Sequence, residues 1–137
     1  MPCFAVVDTN VLVSALNTKN PESPTCQVFK AMLSGDIIPL YHEDILSGYK
    51  EVLSRKKFHL DLKNIETVVS AIRQYGIEAK TKPIGEILPD MDNLIFYEVA
   101  MEKREDNAYL VTCNQKHFPI KTFIVTPAEM VEILEKK

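Results

Sequence analysis

Residues carrying polar oxygens stand directly after two apolar, β-branched runs of this sequence. Asp8-Thr9-Asn10 follows Cys3 to Val7, and Thr112-Cys113-Asn114 follows Tyr109-Leu110-Val111. A third group, Asp90-Met91-Asp92-Asn93, leads into Leu94-Ile95-Phe96, and Glu51 stands one position before Val52-Leu53. Carboxylate and amide oxygens drawn from distant positions suit a hard divalent cation such as Mg²⁺ or Mn²⁺, which takes oxygen ligands. Each residue also has a plainer reading. Asp8 can cap the helix that follows it. Asp90 and Asp92 can complement a helix dipole, Glu51 can pair with Arg55 one turn on, and Asn114 can serve a turn. Joint placement at strand ends favours a site, because open parallel sheets bind ligands beyond the carboxyl ends of their strands.

The elements that must position these groups are legible as alternating periods. Cys3 to Val7 reads as a strand, and Val11, Leu12, Ala15 and Leu16 as a helix. Ser23-Pro24 supplies a cap and a first-turn proline for a helix that ends at Gly35. Ile37 to Leu40 is a second strand. From His42 to about Lys56 one apolar stripe of Ile45, Leu46, Tyr49, Val52 and Leu53 marks a helix with a basic end. Asp61 caps another helix, which stops at Gly76 before the strand-like Ile77-Glu78-Ala79. Residues 80–89 form a loop, and the connection over about 80–92 is the longest and is expected to be mobile. An amphipathic helix with an acidic first turn follows from Asp90. Tyr109 to Thr112 and Phe123 to Val125 read as buried strands, and Thr126-Pro127-Ala128-Glu129 opens a last capped helix. Strands alternating with helices imply a three-layer α/β/α domain with a mostly parallel sheet.

Composition agrees. A chain of 137 residues is about one domain's worth, so residues 1–137 are read as a single domain. With 46% hydrophobic and 26% charged residues it can build an ordinary globular core. Sixteen Lys and Arg against nineteen Asp and Glu give a net charge of −3, which excludes a general electrostatic grip on nucleic acid but leaves room for a local patch. No leader or membrane span is expected, which points to the cytoplasm. Three cysteines without metal-ligand spacing read as reduced, packed thiols.

Four segments together resemble the PIN-domain family: Val6-Val7-Asp8-Thr9-Asn10-Val11-Leu12-Val13-Ser14, Tyr49 to Phe58, Asp90-Met91-Asp92-Asn93, and Tyr109 to Asn114. More narrowly, the chain is similar to the VapC-like toxin components of bacterial toxin–antitoxin systems. The resemblance implies a PIN-like α/β/α fold and an endoribonuclease cutting single-stranded RNA with Mg²⁺ or Mn²⁺. By that resemblance Asp8, Glu51 and Asp92 are the catalytic acids, supported by Thr9, Asn10, Asn93, Thr112 and Asn114. The metal would draw on Asp8, Asp90, Asp92, Asn93 and Asn114. From the residues themselves, Arg55 and Lys56 are candidates to contact RNA phosphates and His117 a base or ribose, beside the plain reading of a basic helix end that complements the dipole. A protein antitoxin and a homodimer are further implied partners. The sequence departs from the family pattern at three usually acidic places, which are Gly48, Asn93 and Asn114 here. Each loss of a carboxylate weakens a divalent site. The alternative is therefore a catalytically weakened or inactive module of the same fold that binds RNA or an antitoxin. A different class, the phosphoryl-accepting domains with a nucleophilic aspartate after the first strand, places a second acid where this chain has Asn10.

Overall fold

The first apolar run forms β1 (Cys3–Val7), in which the consecutive residues Ala5, Val6 and Val7 are all buried. Neighbouring side chains on a strand point to opposite faces, so both faces of β1 are covered, as a parallel sheet sandwiched by helices requires. The computed structural model describes residues 2–83, 85, 87–89 and 91–136. After β1 come α1 (Thr9–Asn17), α2 (Pro24–Ser34), β2 (Ile37–Tyr41), α3 (Glu43–Leu53), α4 (Leu62–Tyr75) and β3 (Ile77–Glu78). The chain continues through α5 (Leu94–Glu102), β4 (Tyr109–Val111), β5 (Ile124–Val125) and α6 (Pro127–Glu135). The α/β architecture expected from the alternation is the one observed.

Every strand pairing is parallel, and the order across the sheet is β3-β2-β1-β4-β5. Ala5 is in register with Pro39 on one side and with Tyr109 on the other. The chain steps outward from β1 to β2 and β3, then returns to the opposite side of β1 for β4 and β5. The order therefore reverses between β1 and β4, and their carboxyl ends flank the crevice where such sheets bind ligands.

Local chemistry fixes the helix ends. The Ser23 hydroxyl accepts the Cys26 N–H, Pro24 takes the first helical position, and Gly35 closes α2 at φ 93°, a left-handed conformation that disfavours any side chain. Asp61 caps α4 by accepting the Lys63 N–H at 2.9 Å. At α6, Thr126 and Glu129 form a reciprocal capping box. Gly76 has a steric reason: a Cβ there would lie 2.4 Å from the Pro39 carbonyl oxygen. Pairing of β3 with β2 begins only after that proline, at Leu40 and Tyr41.

Some expectations are corrected. The third helix ends at Leu53, and Lys56–Phe58 is a separate 3₁₀ turn entered through an extended Arg55. The stop is local: the Ser54 hydroxyl donates to the Glu51 carbonyl at 3.0 Å, beyond the last buried residue of the stripe. Asp92 lies in a 3₁₀ turn, Met91–Asn93, rather than in the first turn of α5. α5 is more apolar than an amphipathic helix, with Phe96, Tyr97, Val99 and Ala100 buried against β1 and β4. Cys113 is exposed rather than packed, while Cys3 is buried, and all three thiols are free. Within the 80–92 connection, Ile84, Glu86 and Asp90 lie outside the described residues, and Leu88 is buried in the core. No helix among the described residues is long and apolar enough to cross a membrane.

Candidate active site

Asp8 leaves β1 at the switch point. Its N–H donates to the Val111 carbonyl at 2.9 Å, and its carbonyl accepts the Val11 N–H at 3.0 Å, which starts α1. Although Asp8 occupies the N-cap position, its side chain makes no capping hydrogen bond. The carboxylate is instead tied to the neighbouring strand. The Thr112 hydroxyl, wholly buried, donates to Asp8 Oδ2 at 2.7 Å. The same hydroxyl accepts the Asn114 N–H at 3.0 Å. Two strand ends 104 residues apart in sequence are thereby fixed to each other through a carboxylate that is itself only 4% exposed.

Tyr49 secures the same strand end from α3. Its buried hydroxyl donates to the Val7 carbonyl, and its ring packs on Phe96 of α5 with centroids 6.3 Å apart. Burial pushes the phenol far above its ordinary range, and the nearby Asp8 carboxylate pushes it further. Loss of water around its sulfur, then the same carboxylate, also raises the Cys113 thiol.

Beside Asp8 opens a cleft of about 370 Å³. Asp44, Gly48 and Glu51 line one wall, because positions three and four apart share a helix face, and Arg55 joins them from just past the end of α3. That face is set by the opposite stripe, since Ile45, Leu46, Tyr49 and Leu53 are buried. Asp92 and Asn93 enter from the turn before α5, followed by Ile95 and Phe96. Thr9 and Asn10 contribute from the start of α1, and His117 from the 3₁₀ turn Gln115–His117. Gln115 anchors that turn by donating to the Ile124 carbonyl at 3.0 Å and to Glu129 at 3.2 Å.

Thus Asp8, Thr9, Asn10, Glu51, Arg55, Asp92, Asn93 and His117 share one cleft. Thr112 and Asn114 stand behind it and act on Asp8 and its supporting hydroxyl, while Lys56 is exposed outside the lining. Asp90 lies outside the described residues. Sequence reasoning missed Asp44, although its seven-residue spacing from Glu51 placed it on the same polar face. The plain reading of Glu51 also holds: Arg55 Nη2 lies 3.2 Å from Oε1 and 3.1 Å from Oε2. Phe118 is packed in the core rather than presented to the cleft.

A family model described as PIN domain matches residues 5–116. The chain belongs to the PIN-domain family. No curated protein matches the chain. PIN domains are in general nucleases that act on RNA and typically use divalent metals, which supports a hydrolase reading of this cleft. The donors here suit such an ion in kind, being carboxylate and amide oxygens. Among the described residues, however, no three His, Cys, Asp or Glu side chains gather closely enough to hold it by themselves.

Proposed function

We propose that this PIN domain is a Mg²⁺- or Mn²⁺-dependent endoribonuclease that cuts single-stranded RNA. The supporting observation is the buried Asp8 carboxylate, oriented by Thr112 at the switch point of a PIN-family sheet and opening onto an oxygen-lined cleft. Asp8 and Asp92 would hold the cation, with Asn93 and the α3 carboxylates beside them and Asn114 steadying the strand end. A bound divalent ion supplies an acidified water and neutralises charge on the phosphate. Thr112 keeps the Asp8 carboxylate in one orientation. Arg55 and His117 contact the RNA backbone from the rim. Pairing with a protein antitoxin, homodimerisation and a cytoplasmic place of work as a toxin component belong to the same proposal.

The deciding experiment is cleavage of mixed-sequence single-stranded RNA with Mg²⁺, with Mn²⁺ and with chelator, beside Asp8→Asn. Metal-dependent cutting lost in the variant supports the reading. A second reading, a weakened or inactive module that binds without cutting, is favoured by Gly48, which leaves α3 without a side chain at the centre of its cleft wall. Folded protein that binds RNA yet cuts under neither metal would select it.

A further inference from the structure

Four carboxylates, those of Asp8, Asp44, Glu51 and Asp92, face the cleft, against Arg55 as the one Lys or Arg among its described lining residues. That guanidinium is engaged by both oxygens of Glu51. Lys57, next along the chain but one, is drawn away over the Phe58 ring at 5.1 Å. Asp44 has His42 beside it, whose Nδ1 accepts the Asp44 N–H at 3.0 Å and lies 3.6 Å from the Asp44 carboxylate. A phosphate approaching this wall meets negative charge and an arginine already in use. The Glu51–Arg55 pair is itself weak, with side chains 64% and 49% exposed, and such pairs yield readily to a stronger partner.

We propose that the Glu51–Arg55 pair makes RNA capture conditional on a divalent cation: a cation claims Glu51 and offsets the wall's charge, and the released Arg55 then takes the phosphate. This rests on the nuclease reading for the choice of ligand, but concerns binding rather than cutting. By linkage, RNA must tighten the cation by the same factor that the cation tightens RNA.

The test uses fluorescence anisotropy of a labelled ten-residue oligouridylate, with Ca²⁺ as the probe cation and with chelator. Wild-type protein should bind tightly in Ca²⁺ and much more weakly in chelator. Glu51→Gln removes one negative charge and frees Arg55, and should bind in chelator about fivefold or more tighter than wild type. Arg55→Gln should bind weakly in Ca²⁺. Equal wild-type binding with and without cation overturns the proposal, as does an unchanged Glu51→Gln in chelator or binding under neither condition. Both side chains are exposed, so the variants should fold, and matching circular dichroism melts verify it. RNA that binds with cation, follows the variant pattern and yet is never cut with Mg²⁺ or Mn²⁺ supports the capture mechanism while removing the nuclease reading.

Discussion

The Thr112 hydroxyl donates to Asp8 Oδ2 at 2.7 Å and accepts the Asn114 N–H at 3.0 Å. One buried oxygen thus joins the carboxyl ends of the two central strands on either side of the switch point. Thr112→Val keeps the shape and removes the hydroxyl. It leaves a buried carboxylate without that donor and the Asn114 N–H without its acceptor, which should cost about 1–3 kcal/mol in urea unfolding. RNA cleavage should fall at least about tenfold, since the carboxylate loses the hydroxyl that holds Oδ2 in place. Thr112→Ser retains the hydroxyl and should recover most of both. A Val variant as active as wild type would show that the bond does not orient Asp8 for chemistry.

Asp8→Asn separates chemistry from folding. The amide oxygen can still accept from Thr112, so thermal stability should change little, whereas loss of the central charge should abolish Mn²⁺ binding in calorimetry and metal-dependent cleavage with it. A variant that keeps its metal affinity would move the ligand role to Asp92 and the α3 acids.

Tyr49 carries a consequence for alkaline stability. Its phenol is raised far above the ordinary 10.0 by burial first and by Asp8 second. Below pH 10 the phenol is protonated in both folded and unfolded chains and contributes no pH dependence. Above it the unfolded chain loses the proton while the folded chain keeps it, so stability falls as pH rises, by about 1.4 kcal/mol per pH unit. Tyr49→Phe should flatten that part of the slope in urea unfolding between pH 10 and 11. It should also lower stability at pH 7, because the Val7 carbonyl loses a buried donor. An undiminished alkaline slope in the variant would assign it to other groups.

Most of this fold was legible because its elements carry their own punctuation. Ser23-Pro24 to Gly35, Asp61 to Gly76 and the Thr126 capping box all end helices where the sequence said they would. The sheet order was not legible, since apolar runs identify strands without saying on which side of β1 each one adds. Asp8 was singled out from its place after an apolar run and Thr112 was named among the supporting residues, but the bond between them was not legible, because a hydroxyl's target depends on register between β1 and β4. Asp44 was missed because it reads as an ordinary helix-start charge until the buried stripe of α3 fixes that helix's rotation. Gly48 was read as a departure from the family pattern, and the structure adds that it sits on the wall of the cleft.

Gly48 offers the test that links helix and site. A Cβ at this position meets nothing within 4 Å, and its backbone is helical, so Gly48→Glu meets no steric objection. Replacing glycine inside a helix by glutamate should add roughly 0.5–1 kcal/mol, raising the melting temperature by a few degrees. The new carboxylate would stand between Asp44 and Glu51 on the α3 wall of the cleft that Asp8 and Asp92 also line, adding a third negative donor to that wall. Mn²⁺ affinity should rise by about tenfold or more, as each added carboxylate strengthens a divalent site. If metal limits the reaction, RNA cleavage at low Mn²⁺ should rise with it, and Gly48→Gln, which adds the helix stability without the charge, should raise only the melting temperature. Equal metal affinities in the Glu and Gln variants would show that the missing charge on α3 is not what limits this site.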